Sequence, residues 1–132
     1  MKIRLLKLES ERPGEVKVRV QRQPKLSKWA EQARKEMPAV KAKFGPLFDE
    51  ISAILFRHDP MRVNFGSNTD EYDPEVGTIL PRLKDCRSVR DVQKVVYEEC
   101  GRWFAIPGNK EKYRLPSQEI WSAWQRFKQA RR

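Results

Sequence analysis

Hydrophobic positions near the start of the chain repeat every second residue. In the segment VKVRV, which begins at Val16, valines alternate with Lys17 and Arg19. This period of two predicts a β-strand, and the turn-forming ERPG separates it from KIRLLKLES. Residues 2–22 are therefore predicted to form a β-hairpin, which is marginal alone in water and should pack on the remaining chain or on a partner.

From residue 26 the hydrophobic period becomes helical. Apolar residues from Leu26 to Met37 fall at i, i+3, i+4, i+7 and i+11, which is one stripe of a helix. Pro38 is predicted to break or kink this helix. Pro46 should begin the next one, which should end just before Pro60 because the residue preceding a proline disfavours helical geometry.

Three further helices are predicted in the second half of the chain. Asp73 should cap the first, and Pro81 should kink it or end it early. Ser88 followed by Asp91 resembles a capping box and should begin a long second helix. The segment AIPGNKEKYRLP is predicted to be a loop, after which Ser117 should cap the last helix.

These elements predict a mainly α protein, with a short N-terminal β-hairpin followed by a bundle of about five short helices. Residues 1–24 would form a basic hairpin arm and residues 25–132 the helical bundle, within a single domain overall. A chain of 132 residues is long enough to bury a hydrophobic core without disulfide or metal crosslinks.

The cellular compartment is predicted from apolar segments and cysteines. No apolar run approaches the roughly 20 residues of a membrane span, and the charged N-terminus does not resemble a signal peptide. Cys86 and Cys100 fit no metal motif. They are predicted to be free thiols in the reducing cytoplasm, with no membrane partner.

Charge is distributed unevenly over a chain whose formal net charge is +10. Residues 1–48 carry a net charge of +8, residues 49–75 of −5 and residues 76–132 of +7. An acidic island therefore separates two basic segments, and the overall field favours association with polyanions.

The acidic island contains RHDPMRVNFGSNTDEYDPEV, residues 57–76, with five carboxylates. No register in it supplies the ligand spacing and central glycine of an EF-hand calcium loop. Asp73 and Glu75 are instead expected at a helix start, where carboxylates complement the helix dipole. We therefore predict neither a metal site nor a cofactor.

No catalytic residues are predicted. His58 is the only histidine, and no nucleophile motif accompanies it. Glu15 and Lys17 match half of a nuclease motif, but its upstream aspartate is absent from residues 1–14. The chain is therefore predicted not to be an enzyme.

The segments DPMRVNFGSNTDEYDPEVGTILPRL and VRDVQKVVYEECGRWF resemble a group of small bacterial helical proteins. The resemblance covers roughly residues 47–104, and its mark is an Asp-Pro, a short apolar stretch, then Asp-Glu-Tyr-Asp and a helix. In this chain the mark falls on Asp59, Pro60, Val63, Asn64, Phe65, Asp70, Glu71, Tyr72, Asp73 and Glu75. The resemblance implies an all-helical bundle with no established enzyme activity, and some similar proteins look like immunity proteins or antitoxins.

Part of this mark has an expected structural role. Asp59 is suited to accept backbone N–H groups after its helix, and Tyr72 to lay its ring on the bundle with its hydroxyl in water. Asp73 would cap the next helix, whereas Asp70 and Glu71 have no internal task. The first functional prediction is an immunity- or antitoxin-like protein that holds a basic protein partner through these last two carboxylates.

The predicted protein-binding surface also includes Tyr72 and Trp121, which lies one step off the apolar stripe of the last helix. The alternative is a small accessory protein that binds nucleic acid through its N-terminal basic segment. That segment carries Lys17, Arg19, Arg22, Lys25 and Lys28. No helix-turn-helix, zinc or RNA-recognition signature accompanies it, so charge alone favours this alternative.

Overall fold

The computed structural model describes residues 27–60, 72–104 and 109–131 with their side chains, and residues 5–9 and 16–20 as backbone. The described part is mainly helical, as predicted. Its α-helices are α1 Lys28–Phe44, α2 Pro46–His58, α3 Asp73–Ile79, α4 Val89–Phe104 and α5 Arg114–Ala130. Two 3₁₀ helices, Leu80–Asp85 and Lys110–Tyr113, precede α4 and α5.

Two strands precede the helices in the chain. Strand β1 spans Leu5–Glu9 and β2 spans Val16–Val20, and they pair antiparallel with Leu5 opposite Val20. The register places Lys17 opposite Leu8. Residues 10–15 between the strands lie outside the described residues, so the complete hairpin and the boundary of the proposed arm stay predictions.

Helix α1 runs through Pro38 without interruption, so the predicted break does not occur. Met37 and Val40 on either side pack against the core, and this burial offsets the hydrogen bond that proline removes. Gly45 then turns the chain directly into α2, with φ at 55°. Its N–H donates to the Lys41 carbonyl at 2.8 Å, and α2 begins at Pro46 as predicted.

Local sequence signals set several other helix ends. Helix α2 ends at His58, and Asp59 follows in the left-handed conformation, with its N–H donating to the Leu55 carbonyl at 2.7 Å. Helix α3 ends at Ile79, one residue before the 3₁₀ helix that contains Pro81. Both ends confirm the predicted effect of a nearby proline.

The capping box at α4 is confirmed with one change. The Asp91 N–H donates to Ser88 Oγ at 3.2 Å, as this motif requires. The Asp91 carboxylate, however, accepts from the N–H of Arg87 at 2.8 Å, one residue before the cap. An aspartate at this position therefore still satisfies a backbone donor at the helix start.

The predicted start of α5 is wrong. The 3₁₀ helix Lys110–Tyr113 runs directly into α5, which begins at Arg114, within the predicted loop. Pro116 lies in the first turn, where its missing N–H would have had no helical partner. Ser117 is consequently a buried residue inside the helix and not its cap.

The core includes large aromatic side chains from α1, α2, α4 and α5. Trp103 of α4 is fully buried, and its Nε1 donates to Thr78 Oγ1 of α3 at 3.0 Å. Its ring lies 4.8 Å from that of Trp29, which α1 supplies. Trp103 therefore joins three helices. No described helix is long and apolar enough to span a bilayer.

Candidate functional site

Tyr72 lies in the core and not at the surface. Its side chain is fully buried, and its hydroxyl donates to Asp59 Oδ1 at 2.8 Å. The predicted water-exposed hydroxyl and the predicted contact of Tyr72 with a partner are therefore wrong. The physical reason is that Asp59, held by its left-handed turn after α2, offers an acceptor that lets the whole tyrosine ring enter the core.

Asp73 links three helices and does not cap one. Tyr72 occupies the cap position of α3, and its carbonyl accepts from the Val76 N–H at 3.0 Å. Asp73 is the first helical residue, and its carboxylate accepts from Ser52 Oγ of α2 at 2.6 Å and lies 3.1 Å from Lys41 Nζ of α1. The predicted capping role is therefore wrong, because these tertiary donors hold the carboxylate.

Glu75 is also a core residue and not an exposed first-turn carboxylate. Its side chain is fully buried in α3. Tyr113 lies nearby and is buried as well, so the pKa of its hydroxyl is raised by burial first and then by the neighbouring Cys100 and Glu75. Asp59, Asp73 and Glu75 are thus held within the fold.

The remaining predicted residues of the acidic mark lie outside the described residues, apart from Pro60, which is buried. Asn64, Phe65, Asp70 and Glu71 belong to this group, so the docking role of the last two stays a prediction. Trp121 is partly buried against the core, and Lys128 Nζ lies 5.6 Å from its ring centroid. Its proposed contact with a partner also stays a prediction.

We expect Tyr72→Phe to lower the free energy of unfolding by about 1–2 kcal/mol, because it removes a buried hydrogen bond to Asp59 while keeping the ring. Tyr97→Phe is the matched control, since the Tyr97 ring packs against Tyr113 from a partly buried position. Urea denaturation followed by circular dichroism measures both variants. Equal midpoints for the two variants would contradict this account of Tyr72.

Most described carboxylates on the bundle surface have a cationic neighbour. Glu119 of α5 contacts both Arg57 and His58 of α2, and the hydrogen bond from His58 is the main reason that its pKa is lowered. Arg82 bridges Glu98 and Glu99 at 2.8 Å each. Further ion pairs join Lys35 to Glu31, Arg114 to Glu111 and Arg126 to Glu50. These pairs neutralise much of the acidic surface.

A pocket of about 220 Å³ lies between the C-terminal end of α1, the first 3₁₀ helix and the last turns of α5. Its apolar lining comes from Phe44, Leu80, Pro81, Trp124 and Phe127. Three exposed cations, Lys43, Lys84 and Arg131, complete the lining. Small-molecule pockets usually measure about 300–1,000 Å³, so this one suits a group smaller than a whole cofactor.

The cations and aromatic rings of the pocket are interleaved. Arg131 Cζ lies 5.0 Å from the Phe127 ring centroid, and Lys43 Nζ lies 5.5 Å from that of Phe44. Lys128 Nζ lies 5.7 Å from the centroid of Trp124. We call Lys43, Lys84, Lys128 and Arg131, together with Phe44, Trp124 and Phe127, the basic aromatic face.

The charges of the basic aromatic face are not neutralised locally. Within the described ranges, no carboxylate lies at ion-pair distance from its four cations. Trp124 Nε1 is buried and finds no acceptor among the same residues. The face therefore combines positive charge with aromatic side chains.

Sequence reasoning missed this face, because it assigned Trp124 and Phe127 of α5 to the core. Phe127 and Lys128 lie three and four residues after Trp124, and Arg131 lies four residues after Phe127. These spacings place them on one side of a helix, and they are the signal that was available. The predicted basic residues Lys17, Arg19, Arg22 and Lys25 have no described side chains, whereas Lys28 is exposed at the start of α1.

The described part of the chain contains no group of three His, Cys, Asp or Glu side chains placed to hold a metal ion. Cys86 and Cys100 are both buried and form no disulfide, and burial is the main reason that the pKa of the Cys86 thiol is raised. Raised thiol pKa values disfavour the reactive thiolate.

Comparison with known proteins adds no assignment to this geometry. No protein-family model matches the chain, and no curated protein or solved structure is significantly similar to it.

Proposed function

We propose that this chain is a non-enzymatic protein that binds nucleic acid through its basic aromatic face. The observation that carries the proposal is the set of four cations beside the aromatic side chains of the pocket, with no carboxylate of the described residues at ion-pair distance. Phosphate groups supply the missing negative charge, and neutralising them releases counterions, which drives association.

The charge of the whole bundle supports the same partner. The residues with described side chains include 18 Lys or Arg and 13 Asp or Glu. Many of those carboxylates are already paired with a cation or tied to a backbone or hydroxyl donor. Lysines and arginines therefore dominate the charge that remains for a partner, which favours a polyanion over a basic protein.

The N-terminal basic segment would extend this surface. Lys17, Arg19, Arg22, Lys25 and Lys28 were predicted to bind phosphates, and Lys28 is an exposed residue of α1. In the proposed complex these residues add sequence-independent contacts to the backbone, while the basic aromatic face holds the nucleic acid in place.

The protein-binding reading rests on residues that the structure does not describe. Asp70 and Glu71 were predicted to dock a basic partner, as an immunity protein or antitoxin would. Three neighbouring carboxylates of the mark are held within the fold. Any acidic docking surface would consequently depend on Asp70 and Glu71 alone.

We expect the wild-type protein to raise the fluorescence anisotropy of a labelled oligonucleotide at low salt, and unlabelled oligonucleotide to reverse the rise. Both single-stranded and duplex probes should be titrated, because phosphate contacts are common to both. Absence of binding to every probe at about 50 mM salt would refute the proposed function. A pulldown could instead recover one basic protein. If the double variant Asp70→Asn with Glu71→Gln no longer recovered that protein, the result would favour the protein-binding reading.

A further inference from the structure

We infer that the pocket receives one unpaired base, so that the protein selects single-stranded over duplex nucleic acid. This inference rests on the proposed function and adds the part of the ligand that the pocket recognises. A single strand combines flat aromatic groups with regularly placed anions, and the pocket combines aromatic walls with a cationic rim.

The aromatic walls are arranged to contact a flat ring. Trp124 and Phe127 are stacked on each other, with an interplanar angle of 19° and centroids 5.6 Å apart, so they form one continuous aromatic wall. Phe44 is tilted against both, with its centroid 6.3 Å from that of Trp124 and 5.8 Å from that of Phe127. Every nucleobase has a π-face, so such walls accept a base of any identity.

The rim is arranged to contact phosphates. Lys43 comes from the end of α1, Lys84 from the first 3₁₀ helix and Arg131 from the residue after α5. Cations therefore approach the pocket from three different elements. A base held against the aromatic wall would place its flanking phosphates near these side chains, and the planar Arg131 guanidinium over Phe127 offers an additional stacking surface.

The size of the pocket fits one base better than a duplex end or a whole cofactor. Its volume of about 220 Å³ lies below the range of ordinary ligand pockets. Bases within a duplex are stacked and paired, so duplex binding would use the rim cations without filling the pocket. The aromatic lining of the pocket therefore predicts a preference for single-stranded over duplex nucleic acid, which the cations alone do not predict.

The test compares an oligothymidylate of about 12 nucleotides with an abasic oligomer of the same length, which keeps the phosphates and lacks the bases. We expect the wild-type protein to bind the oligothymidylate about 5-fold to 150-fold more tightly, because one stacked base contributes that much affinity. A duplex of the same length and polyglutamate of equal charge should compete no better than the abasic oligomer.

Phe127→Leu removes one aromatic wall and keeps an apolar side chain. It should eliminate most of the preference for bases, so that the affinities for the oligothymidylate and the abasic oligomer become nearly equal. Phe56→Leu is the matched control, because Phe56 is partly buried on α2 and does not line the pocket. The control should retain the wild-type preference.

A second measurement uses the wild-type chain alone, so it does not depend on the folding of a variant. Photocrosslinking with 5-bromouracil in the oligomer should modify Phe44, Trp124 or Phe127, as identified by mass spectrometry. Equal affinity for the oligothymidylate and the abasic oligomer, or crosslinks only outside the pocket, would overturn the inference and leave the proposed function standing. If no oligomer bound to the protein, both the inference and the proposed function would be contradicted.

Discussion

Trp103→Ala should lower the free energy of unfolding by about 3–5 kcal/mol, the cost of truncating a large buried aromatic residue. The Trp103 ring is fully buried, contacts Trp29 and has the Arg34 guanidinium 5.0 Å from its centroid. The substitution would leave a cavity between three helices. It would also remove the Trp103 Nε1–H group that donates a hydrogen bond to the Thr78 hydroxyl. The free energy of unfolding of a domain is typically about 5–15 kcal/mol, so the substitution would remove a large part of it.

Trp121→Ala is the control for this prediction, because Trp121 is the same residue type in a partly buried position. Urea denaturation of both variants, followed by circular dichroism, gives the two midpoints. Trp103→Phe should fall between the wild type and Trp103→Ala, since it keeps most of the ring and loses the N–H donor. If Trp103→Ala were no less stable than Trp121→Ala, the proposed centre of the core would be wrong.

Charge reversal of the pocket rim should have the largest effect on binding. Combining Lys43→Glu, Lys84→Glu and Arg131→Glu should weaken oligonucleotide affinity on the order of 10²-fold or more at about 50 mM salt, because three phosphate contacts and their counterion release are lost. Helical content should be unchanged, since these side chains are exposed.

The matched control reverses three other exposed cations, Arg90, Lys94 and Lys112, none of which lines the pocket. It changes the net charge by the same amount. Screening limits the influence of distant charges, so this control should weaken binding much less than the rim variant does. Equal losses in both variants would mean that binding depends on net charge and not on the rim.

The helices were predictable because their signals are local. A stripe of apolar residues every three to four positions predicts a helix wherever its partners lie, and Pro46 and Pro60 restrict helix ends through their own geometry. The start of α5 was missed for the same reason. Ser117 is a good capping residue, but the preceding 3₁₀ helix had already begun the turn at Lys110, after Asn109, whose side chain accepts from the Glu111 N–H at 3.0 Å.

The roles of the acidic residues were not predictable in this way. A carboxylate near a helix start has the same local signature whether it caps that helix or reaches another one. Asp73 contacts Ser52 and Lys41, which come from two other helices, and Tyr72 finds its acceptor in Asp59. These partners lie 13 or more residues away in the sequence, so only the folded chain identifies them.

One part of the pocket follows from a local sequence pattern, and another part depends on contacts between distant segments. The spacing of aromatic and basic residues along α5 is a local pattern that marks one side of the helix. Phe44 and Leu80, however, join that side only when α1 and the first 3₁₀ helix pack beside α5. Net charge favoured polyanion binding as a prediction from the sequence, and the place of the proposed binding surface was recognisable only in the structure.

The most direct test of the proposed function is the salt dependence of oligonucleotide affinity in the wild-type protein and the rim variant. We predict that the logarithm of the wild-type affinity falls linearly with the logarithm of salt concentration. The slope should become shallower by about 2 in the rim variant, since each single-strand phosphate contact contributes about 0.7. Equal slopes in the two proteins, or no measurable wild-type binding at about 50 mM salt, would contradict the assignment of nucleic-acid binding to the basic aromatic face.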